Sequence, residues 1–247
     1  MTTGSVNEKL SWVFRLSIND GYIIKNPAEN AEVVGKELRK VQYLNLKQIH
    51  TLIDFIRNTN FALRSKKHVE IGSPYLILTA IYTGARLSEL AGLTWDDIDE
   101  HNQTINIHRQ YSTRPNLTPG FYPLKTRSSK RVIVIPENLI TILKSIRDDG
   151  DEFIFYTQQN HPVNAQTVNL ELHSIMNRAG VVATNFHFHS LRHSHVALLL
   201  SKGVDIYTIS KRLGHSSFNT TLKTYAYLLD EHESKENDKI RDVLSHI

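Results

Sequence analysis

The chain has 247 residues, 40% of them hydrophobic and 22% charged, with a net charge of +4. This composition excludes wholesale disorder and fits a globular protein with a sizeable core. The absence of cysteine excludes disulfides, thiolate zinc sites and a cysteine nucleophile, and it favours a reducing cytosol. The sequence contains neither an 18-residue apolar run nor a signal-peptide pattern, so we expect a cytoplasmic protein that does not span a membrane.

The N-terminal segment predicts one helix followed by a linker. Apolar residues at helical spacing predict a helix over 8–24. Residues 28–43 are polar and lack periodicity, which is typical of a linker. Because one short helix cannot bury its own apolar face, we interpret residues 1–27 as the end of a domain that is otherwise missing from this chain.

After residue 44 the pattern is mostly helical, with two strands. Ser73 and Pro74 are typical of an N-cap and a first helical residue, and Thr83 and Gly84 are expected to break the helix that follows. Alternating residues over 104–110 and 131–135 predict a small antiparallel sheet. The predicted fold class is therefore α+β and predominantly helical. The predicted helices cover 46–58, 74–82, 86–93, 139–147, 164–179, 190–202, 206–213 and 220–229.

Charge is distributed unevenly along the chain. Residues 109–131 contain six basic residues and no acidic one, which are Arg109, Arg114, Lys125, Arg127, Lys130 and Arg131. Such a block is either a solvated loop or a phosphate-facing surface, and composition alone does not choose between them. Residues 230–247 instead carry six acidic and three basic residues, with apolar residues at helical spacing that predict a tail helix.

The histidine-rich stretch 186–195 first suggests a metal site. His189 and His193 are four residues apart, a spacing that zinc-binding helices use. The stretch has no Asp or Glu for a third ligand and a general base, so we disfavour a metal. His189 and Arg192 are three residues apart and would share a helix face, where a guanidinium and an imidazole suit a phosphate. A surface arginine beside a helix-start histidine remains the simpler explanation of this pair alone.

Three further segments contain residue types that could serve a phosphate site. Arg86 begins a helix that carries Glu89 three residues later, Gly214 is a typical helix C-cap before His215, and Tyr225 shares a helix face with apolar residues. Each also has a purely structural explanation, as an ion-paired arginine, a cap or a core tyrosine. Their order along the chain is more informative than any one of them.

Five separated segments together resemble the tyrosine recombinase, or phage integrase, family. They are Arg86 in TGARLSEL, Lys125 in PLKTRSSKR, His189-x-x-Arg192, Gly214-His215, and Tyr225 in TTLKTYAYL. The resemblance spans residues 44–229, and residues 21–28 look like the junction after a core-binding domain. It implies a core-binding remnant (1–27), a linker (28–43), a catalytic domain (44–229) and a tail helix (230–247).

The resemblance implies DNA cleavage by the Tyr225 hydroxyl through a 3′-phosphotyrosyl intermediate that needs neither metal nor ATP. Arg86 and Arg192 would hold the non-bridging oxygens and Lys125 would protonate the leaving 5′-oxygen. His189 would act as acid or base near Tyr225, and His215 would hydrogen-bond a non-bridging oxygen. Glu89 would support these side chains from behind.

The same resemblance implies partners and a cellular context. The partners are double-stranded DNA attachment sites, three further copies in a homotetramer on DNA, and an accessory directionality factor. It also implies a bacterial, nucleoid-associated protein of a mobile element or a phage that integrates its genome. No cofactor is implied. The DNA contacts predicted from basic residues are Arg127, Lys130, Arg131, Lys211 and Arg212.

Four alternatives remain open at this point. Tyr227 is a rival nucleophile two residues beyond Tyr225. The chain could be a DNA-binding fragment with impaired catalysis. It could also relax supercoils in the manner of a type IB topoisomerase, or act as a metal-dependent nuclease.

Overall fold

A computed structural model describes residues 3–29, 41–59, 61, 72–113, 117–147, 152–156, 162–226, 228, 241 and 244–245. The chain divides into two compact units, Met1–Lys40 and Val41–Ile247. Most of the predicted linker and tail helix, together with Tyr227 and Arg114, lie outside the described residues. Within the described ranges, no helix combines the length and apolarity needed to cross a membrane.

The first unit contains helix α1, Thr3–Asn19, which both begins and ends about five residues before the predicted bounds of 8–24. Gly21 has a φ of 75°, a left-handed conformation that ends a helix and costs glycine little. The chain then folds back, and the Asn26 side-chain amide donates to the hydroxyl of Ser11 at 2.9 Å. The assignment of this unit to a core-binding domain stays a prediction.

Helices build most of the second unit, as predicted. Their bounds are α2 Leu46–Asn58, α3 Gly72–Thr83, α4 Leu87–Ala91, α5 Glu137–Lys144, α6 Ala165–Arg178, α7 Phe188–Ser201, α8 Ile206–Leu213 and α9 over residues 218–226. The predicted bounds of α2 and α8 are confirmed, and the other helices differ at their ends. Ser73 lies inside α3 and is therefore not the predicted N-cap.

Helix α3 is the centre of this unit. Eleven of its twelve residues are buried, because it is apolar on every side and packs against α2, α6 and α7. Most buried apolar side chains join one large core around it. A second, smaller core includes Val196 of α7, Leu213 of α8 and Tyr225 of α9. The smaller core thus joins the three C-terminal helices that carry several candidate site residues.

The strands form two small antiparallel sheets. Strands β1 (Ile98–Asp99), β2 (Thr104–Ile107) and β5 (Arg131–Val134) are ordered β1-β2-β5, while β3 (Arg109–Ser112) pairs with β4 (Gly120–Pro123). The predicted pairing of 104–110 with 131–135 is right only for β2 and β5. The prediction of one continuous strand over 104–110 is wrong, because the chain leaves the first sheet at His108 and β3 pairs with β4 instead.

Candidate active site

A cleft of about 480 Å³ lies on the second unit, between α7, α8, α9, the start of α4 and the segment that joins β4 to β5. The structure brings all six predicted catalytic residues and Glu89 to its walls. Those six are Arg86, Lys125, His189, Arg192, His215 and Tyr225. His193 also lines the cleft, although the sequence prediction considered it only as a metal ligand.

Arg192 on α7 is fixed by two backbone carbonyls. Its Nη1 donates to the carbonyl oxygen of Gly84 at 2.6 Å and its Nη2 to that of Leu213 at 2.7 Å. The residue is only 3% exposed. A guanidinium has five N–H donors, so three remain after these two bonds. Arg192 is thus held rigidly while it keeps donors for an anion in the cleft.

Two glycines make these carbonyl positions possible. Gly84 ends α3 with a φ of 65°, and a Cβ there would lie 2.6 Å from the His195 ring. Gly214 caps α8 in the left-handed conformation, and a Cβ there would lie 3.1 Å from Arg131. Both positions require glycine for the backbone angle and for the close approach of a side chain. The break at Gly84 and the cap at Gly214 were predicted from the sequence.

Glu89 is a buried carboxylate that holds two arginines. It accepts from Arg86 Nη1 at 2.7 Å and from Arg131 Nη2 at 2.9 Å, and its side chain is 1% exposed. Burial alone would raise the pKa of Glu89, but the charges and hydrogen bonds of Arg131 and Arg86 outweigh burial and hold that pKa below its usual value. The Glu89 carboxylate is therefore ionised at neutral pH, and it sets the position of Arg86 at the start of α4.

Arg131 and Arg212, both predicted to contact DNA, make their hydrogen bonds inside the protein. Arg131 donates to Glu89 and, through Nε, to the carbonyl oxygen of Arg212 at 2.7 Å. Arg212 donates to the carbonyl oxygens of Val134 and Tyr82 and, through Nε, to Nε2 of His195. These two guanidinium groups tie β5, α8 and the end of α3 together behind the cleft.

The other basic side chains predicted to face DNA lie at the surface. Lys125, Arg127 and Lys130 are exposed in the segment between β4 and β5. Lys211 is exposed on α8, where its ammonium lies 5.3 Å from the centre of the Tyr207 ring. Of this group, Lys125 also lines the cleft.

His193 contacts the hydroxyl of Tyr225. Its Nδ1 lies 2.7 Å from Tyr225 Oη, and the His189 ring meets the His193 ring edge to face at 5.1 Å between centroids. Tyr225 is 1% exposed because its ring belongs to the smaller core. The sequence signal that could have found this contact is the four-residue spacing of His189 and His193, which placed both rings on one helix face.

His215 is oriented by a pair of hydroxyl groups. Its Nδ1 lies 2.6 Å from Thr221 Oγ1, and Thr221 donates to Ser210 Oγ at 2.9 Å. Because the single hydroxyl proton of Thr221 goes to Ser210, Thr221 accepts from an Nδ1–H of His215. The second ring nitrogen, Nε2, therefore donates a hydrogen bond only when the imidazole is protonated.

The cleft disfavours positive charge on its histidines. Burial, with the charges of His189 and Arg192, lowers the pKa of His193 to about 4. Burial, with the charges of Arg192 and Arg86, lowers the pKa of His215 to about 4 as well. The pKa of His189 is also lowered, for the same kinds of reason. All three imidazoles are therefore neutral at pH 7.

Arg192 keeps its charge in this setting. Burial lowers its pKa to about 9, with a smaller contribution from the charge of Arg86. The guanidinium is therefore still protonated at neutral pH. Within the described ranges, the cleft included, no three His, Asp or Glu side chains converge as a metal site would require.

Comparison with known proteins shows which family the sequence of this chain matches. Residues 42–232 match the Phage integrase family. The chain is 27% identical over 98% of its length to a tyrosine recombinase XerC-like protein of Caldanaerobacter subterraneus subsp. tengcongensis. It is 24% identical, again over 98% of its length, to the ICEBs1 integrase of Bacillus subtilis. The chain spans 66% of the length of each of these two relatives.

The fold comparison agrees. A solved structure of the Tn1549 transposon integrase, in complex with transposon right end DNA, superposes with a TM-score of 0.76 at 21% identity. The match covers 98% of this chain and 80% of that one. The second unit, with its two small antiparallel sheets, thus has the catalytic fold of tyrosine recombinases. The family match covers more than half of the sequence, so the chain belongs to the phage integrase family.

Proposed function

We propose that the chain cleaves and rejoins DNA at specific sites, with Tyr225 as the nucleophile and a 3′-phosphotyrosyl intermediate. The observation that carries this proposal is the convergence of Tyr225, two arginines, a lysine and three histidines on one cleft of about 480 Å³. Separate segments between residues 86 and 225 supply these side chains. A set drawn from so many elements is what a phosphoryl-transfer site requires.

The first chemical step would be attack of Tyr225 Oη on a DNA phosphorus. The bond between phosphorus and O5′ breaks as the new bond between Oη and phosphorus forms. The free pKa of tyrosine, near 10, means that the hydroxyl must lose its proton during the attack. A 5′-hydroxyl of a partner strand then attacks the phosphotyrosine and releases Tyr225. The covalent link divides one difficult displacement into two easier ones and conserves the energy of the phosphodiester.

Arg86 and Arg192 would stabilise the negative charge that builds on the non-bridging oxygens. Glu89 and the carbonyls of Gly84 and Leu213 hold these guanidinium groups before DNA arrives. Donors fixed in advance lose little reorganisation energy during the reaction, which is the main source of their catalytic effect. In this proposal Arg131 and Arg212 position the site from inside the protein and do not contact DNA.

Lys125 and His215 would act on oxygens that change charge. Lys125 is exposed beside the cleft and would give a proton to the leaving O5′. The negative phosphodiester would raise the pKa of His215. Its Nε2 would then donate to a non-bridging oxygen while Nδ1 donates to Thr221.

Recombination, rather than relaxation of supercoils, is supported by the relatives. They carry the names of recombinases and integrases, and the Tn1549 integrase was solved with transposon right end DNA. We extend this to the present chain as double-stranded attachment sites on which four copies assemble. Detection of joined products from two different duplexes would separate recombination from relaxation.

Covalent capture of nicked DNA tests the proposal. A nick just downstream of the cleaved phosphate makes the released fragment, which carries the free 5′-hydroxyl, short enough to diffuse away. The covalent adduct therefore accumulates, and it migrates slowly in denaturing electrophoresis. We expect an adduct with the unaltered chain in the presence of EDTA and none with Tyr225→Phe, while DNA binding of the two is alike.

Three results would contradict the proposal. An adduct that persists in Tyr225→Phe and disappears in Tyr227→Phe would move the nucleophile to Tyr227. Cleavage that stops in EDTA would favour a metal-dependent nuclease. DNA binding without any adduct, on a substrate that carries the correct site, would favour a binding fragment with impaired catalysis.

A further inference from the structure

We propose that His193 is the side chain that takes the hydroxyl proton from Tyr225 as the tyrosine attacks DNA. This inference rests on the function proposed above and adds a residue to it. The sequence prediction assigned an acid or base near Tyr225 to His189. The structure places His193 Nδ1, at 2.7 Å, in hydrogen-bond contact with the attacking oxygen itself.

The contact joins two rigid groups. His193 follows Arg192 on α7, and Arg192 is fixed by the carbonyls of Gly84 and Leu213. Tyr225 is 1% exposed and belongs to the smaller core, together with Val196 of α7 and Leu213 of α8. Neither ring needs to move to form the hydrogen bond, so the geometry for proton transfer exists before DNA binds.

The surroundings keep the imidazole able to accept a proton. The groups that face it are His189 and Arg192 on its own helix and Tyr225 on α9, with Arg86 and His215 on other walls of the cleft. Burial and the two α7 neighbours lower the pKa of His193 to about 4, so its ring is neutral at pH 7. A phosphodiester that binds beside Arg86 and Arg192 would raise the pKa of His193 toward neutrality, which makes the ring a better base at the moment of attack.

The step balances without a co-reactant. The Tyr225 Oη–H bond breaks and its proton goes to His193 Nδ1, while Oη forms a bond to phosphorus. The P–O5′ bond breaks, and Lys125 supplies a proton to the leaving O5′. In the second step the imidazolium of His193 returns the proton to the departing Tyr225 oxygen, and the attacking 5′-hydroxyl gives its own proton to Lys125.

An asparagine substitution separates proton transfer from simple positioning. In His193→Asn the amide oxygen reaches about as far as Nδ1 and accepts the same hydrogen bond from Tyr225, but it cannot take up a proton. We expect the rate of adduct formation on nicked DNA to fall at least about 100-fold at pH 7. The residual rate should rise about tenfold per pH unit toward the pKa of tyrosine, because solvent must then remove the proton.

Lys125→Ala is the matched control for the leaving-group side. Replacing the bridging 5′-oxygen of the DNA with sulfur gives a thiolate that leaves without a proton. This substrate should restore cleavage by Lys125→Ala and leave the defect of His193→Asn unchanged. DNA binding and the melting temperature, measured on the same preparations, report whether each variant is folded.

The outcomes separate the two proposals. No adduct at Tyr225 with the unaltered chain overturns the proposed function itself. A normal adduct together with a His193→Asn rate within about threefold of the unaltered rate overturns only the role of His193. So does a His193→Asn defect that the sulfur substrate repairs, or a steep pH dependence that appears in His189→Asn instead.

A measurement on the unaltered chain needs no variant. Nitrogen-15 NMR of the histidine side chains should find the His193 proton on Nε2 at pH 7, with Nδ1 unprotonated toward Tyr225. A proton on Nδ1 would mean that His193 donates to the tyrosine oxygen, and it would overturn the inference.

Discussion

The back wall of the cleft and its rim use the same residue types in opposite ways. The back wall comprises Arg192, which lines the cleft, and Arg131 and Arg212, which lie behind it. All three direct donors at backbone carbonyls, and Arg131 also donates to Glu89. On the rim, which consists of Lys125, Arg127 and Lys130, the cations are exposed. The back wall therefore holds charge in fixed positions, whereas in the proposed function the rim would meet the charged backbone of DNA. A basic residue that lies close to the cleft is therefore not necessarily a DNA contact.

We expect the largest effect on the rate of adduct formation from a substitution of Arg192, the arginine of the back wall that two backbone carbonyls hold in place. Arg192→Lys replaces a planar fork with a single ammonium, which cannot reach the carbonyls of Gly84 and Leu213 and also serve a phosphate. We expect adduct formation to fall up to about 1000-fold, about 4 kcal/mol of transition-state stabilisation, with DNA affinity nearly unchanged. Single-turnover cleavage of nicked DNA measures it. A loss of less than about tenfold would mean that Arg192 is only structural.

The second prediction concerns the contribution of Glu89 to the stability of the same back wall. Glu89→Gln leaves the guanidinium of Arg131, 6% exposed, without its counter-charge. Because an unpaired buried charge is costly, we expect a loss of about 3 kcal/mol in the free energy of unfolding. Glu100→Gln is the matched control, since it breaks an exposed pair with Lys144 and should cost less than about 1 kcal/mol. Equal losses in urea denaturation would refute the contrast.

The third prediction concerns how the stability of the protein depends on pH through His195, which lies beside Arg212 of the back wall. His195 is buried as a neutral ring between Ile81 and Arg212, and burial lowers its pKa to about 3. The unfolded chain takes up this proton near pH 6.5 and the folded chain does not, so stability falls as the pH drops from 6.5 toward 3. His195 alone accounts for about 2 kcal/mol at pH 5.

The variant His195→Asn tests this assignment. Its amide can still donate to the carbonyl of Ile81, but it does not titrate. We expect it to be less stable at pH 7 and to lose about 2 kcal/mol less than the unaltered chain between pH 6.5 and 5. Parallel stability curves for the two proteins would assign the acid sensitivity elsewhere.

The smallest effect belongs to the rim. Lys130→Ala should weaken DNA binding by about 1 kcal/mol or less, alike for all sequences, and reduce the slope of log affinity against log salt by about one unit. Arg131→Gln is the control, because its guanidinium already bonds Glu89 and the carbonyl of Arg212. A slope that changes in Arg131→Gln and not in Lys130→Ala would reverse the assignment of wall and rim.

The sequence predicted the family, the fold class and seven of the side chains that line the cleft, because these depend on residue types in a fixed order. It also predicted Gly84 and Gly214 as helix ends, since glycine is the usual residue for a left-handed backbone. The β3–β4 hairpin was not predicted. Residues 109–131 are rich in basic residues and lack the alternation of apolar and polar residues that predicts strands. The pairing of β3 with β4 therefore left no clear signal in the sequence.

The sequence did not predict which basic side chains are buried, nor which backbone carbonyls accept their hydrogen bonds. Arg131 and Arg127 look alike in a basic stretch, yet one bonds a buried carboxylate and the other is exposed. The acceptors of Arg192 are carbonyls of residues 84 and 213, which no side-chain pattern marks. His193 was weighed as a metal ligand because its spacing from His189 was visible, whereas its contact with Tyr225, 32 residues away, depends on the fold.

Identifying the amino acid that becomes linked to DNA tests the proposed nucleophile directly. The adduct formed by the unaltered chain on nicked attachment-site DNA is digested with protease and nuclease, and the nucleotide-bearing peptide is sequenced by mass spectrometry. We expect a 3′-phosphodiester on Tyr225, the residue whose hydroxyl contacts His193 in the cleft. A nucleotide on Tyr227 or on any other side chain would contradict it.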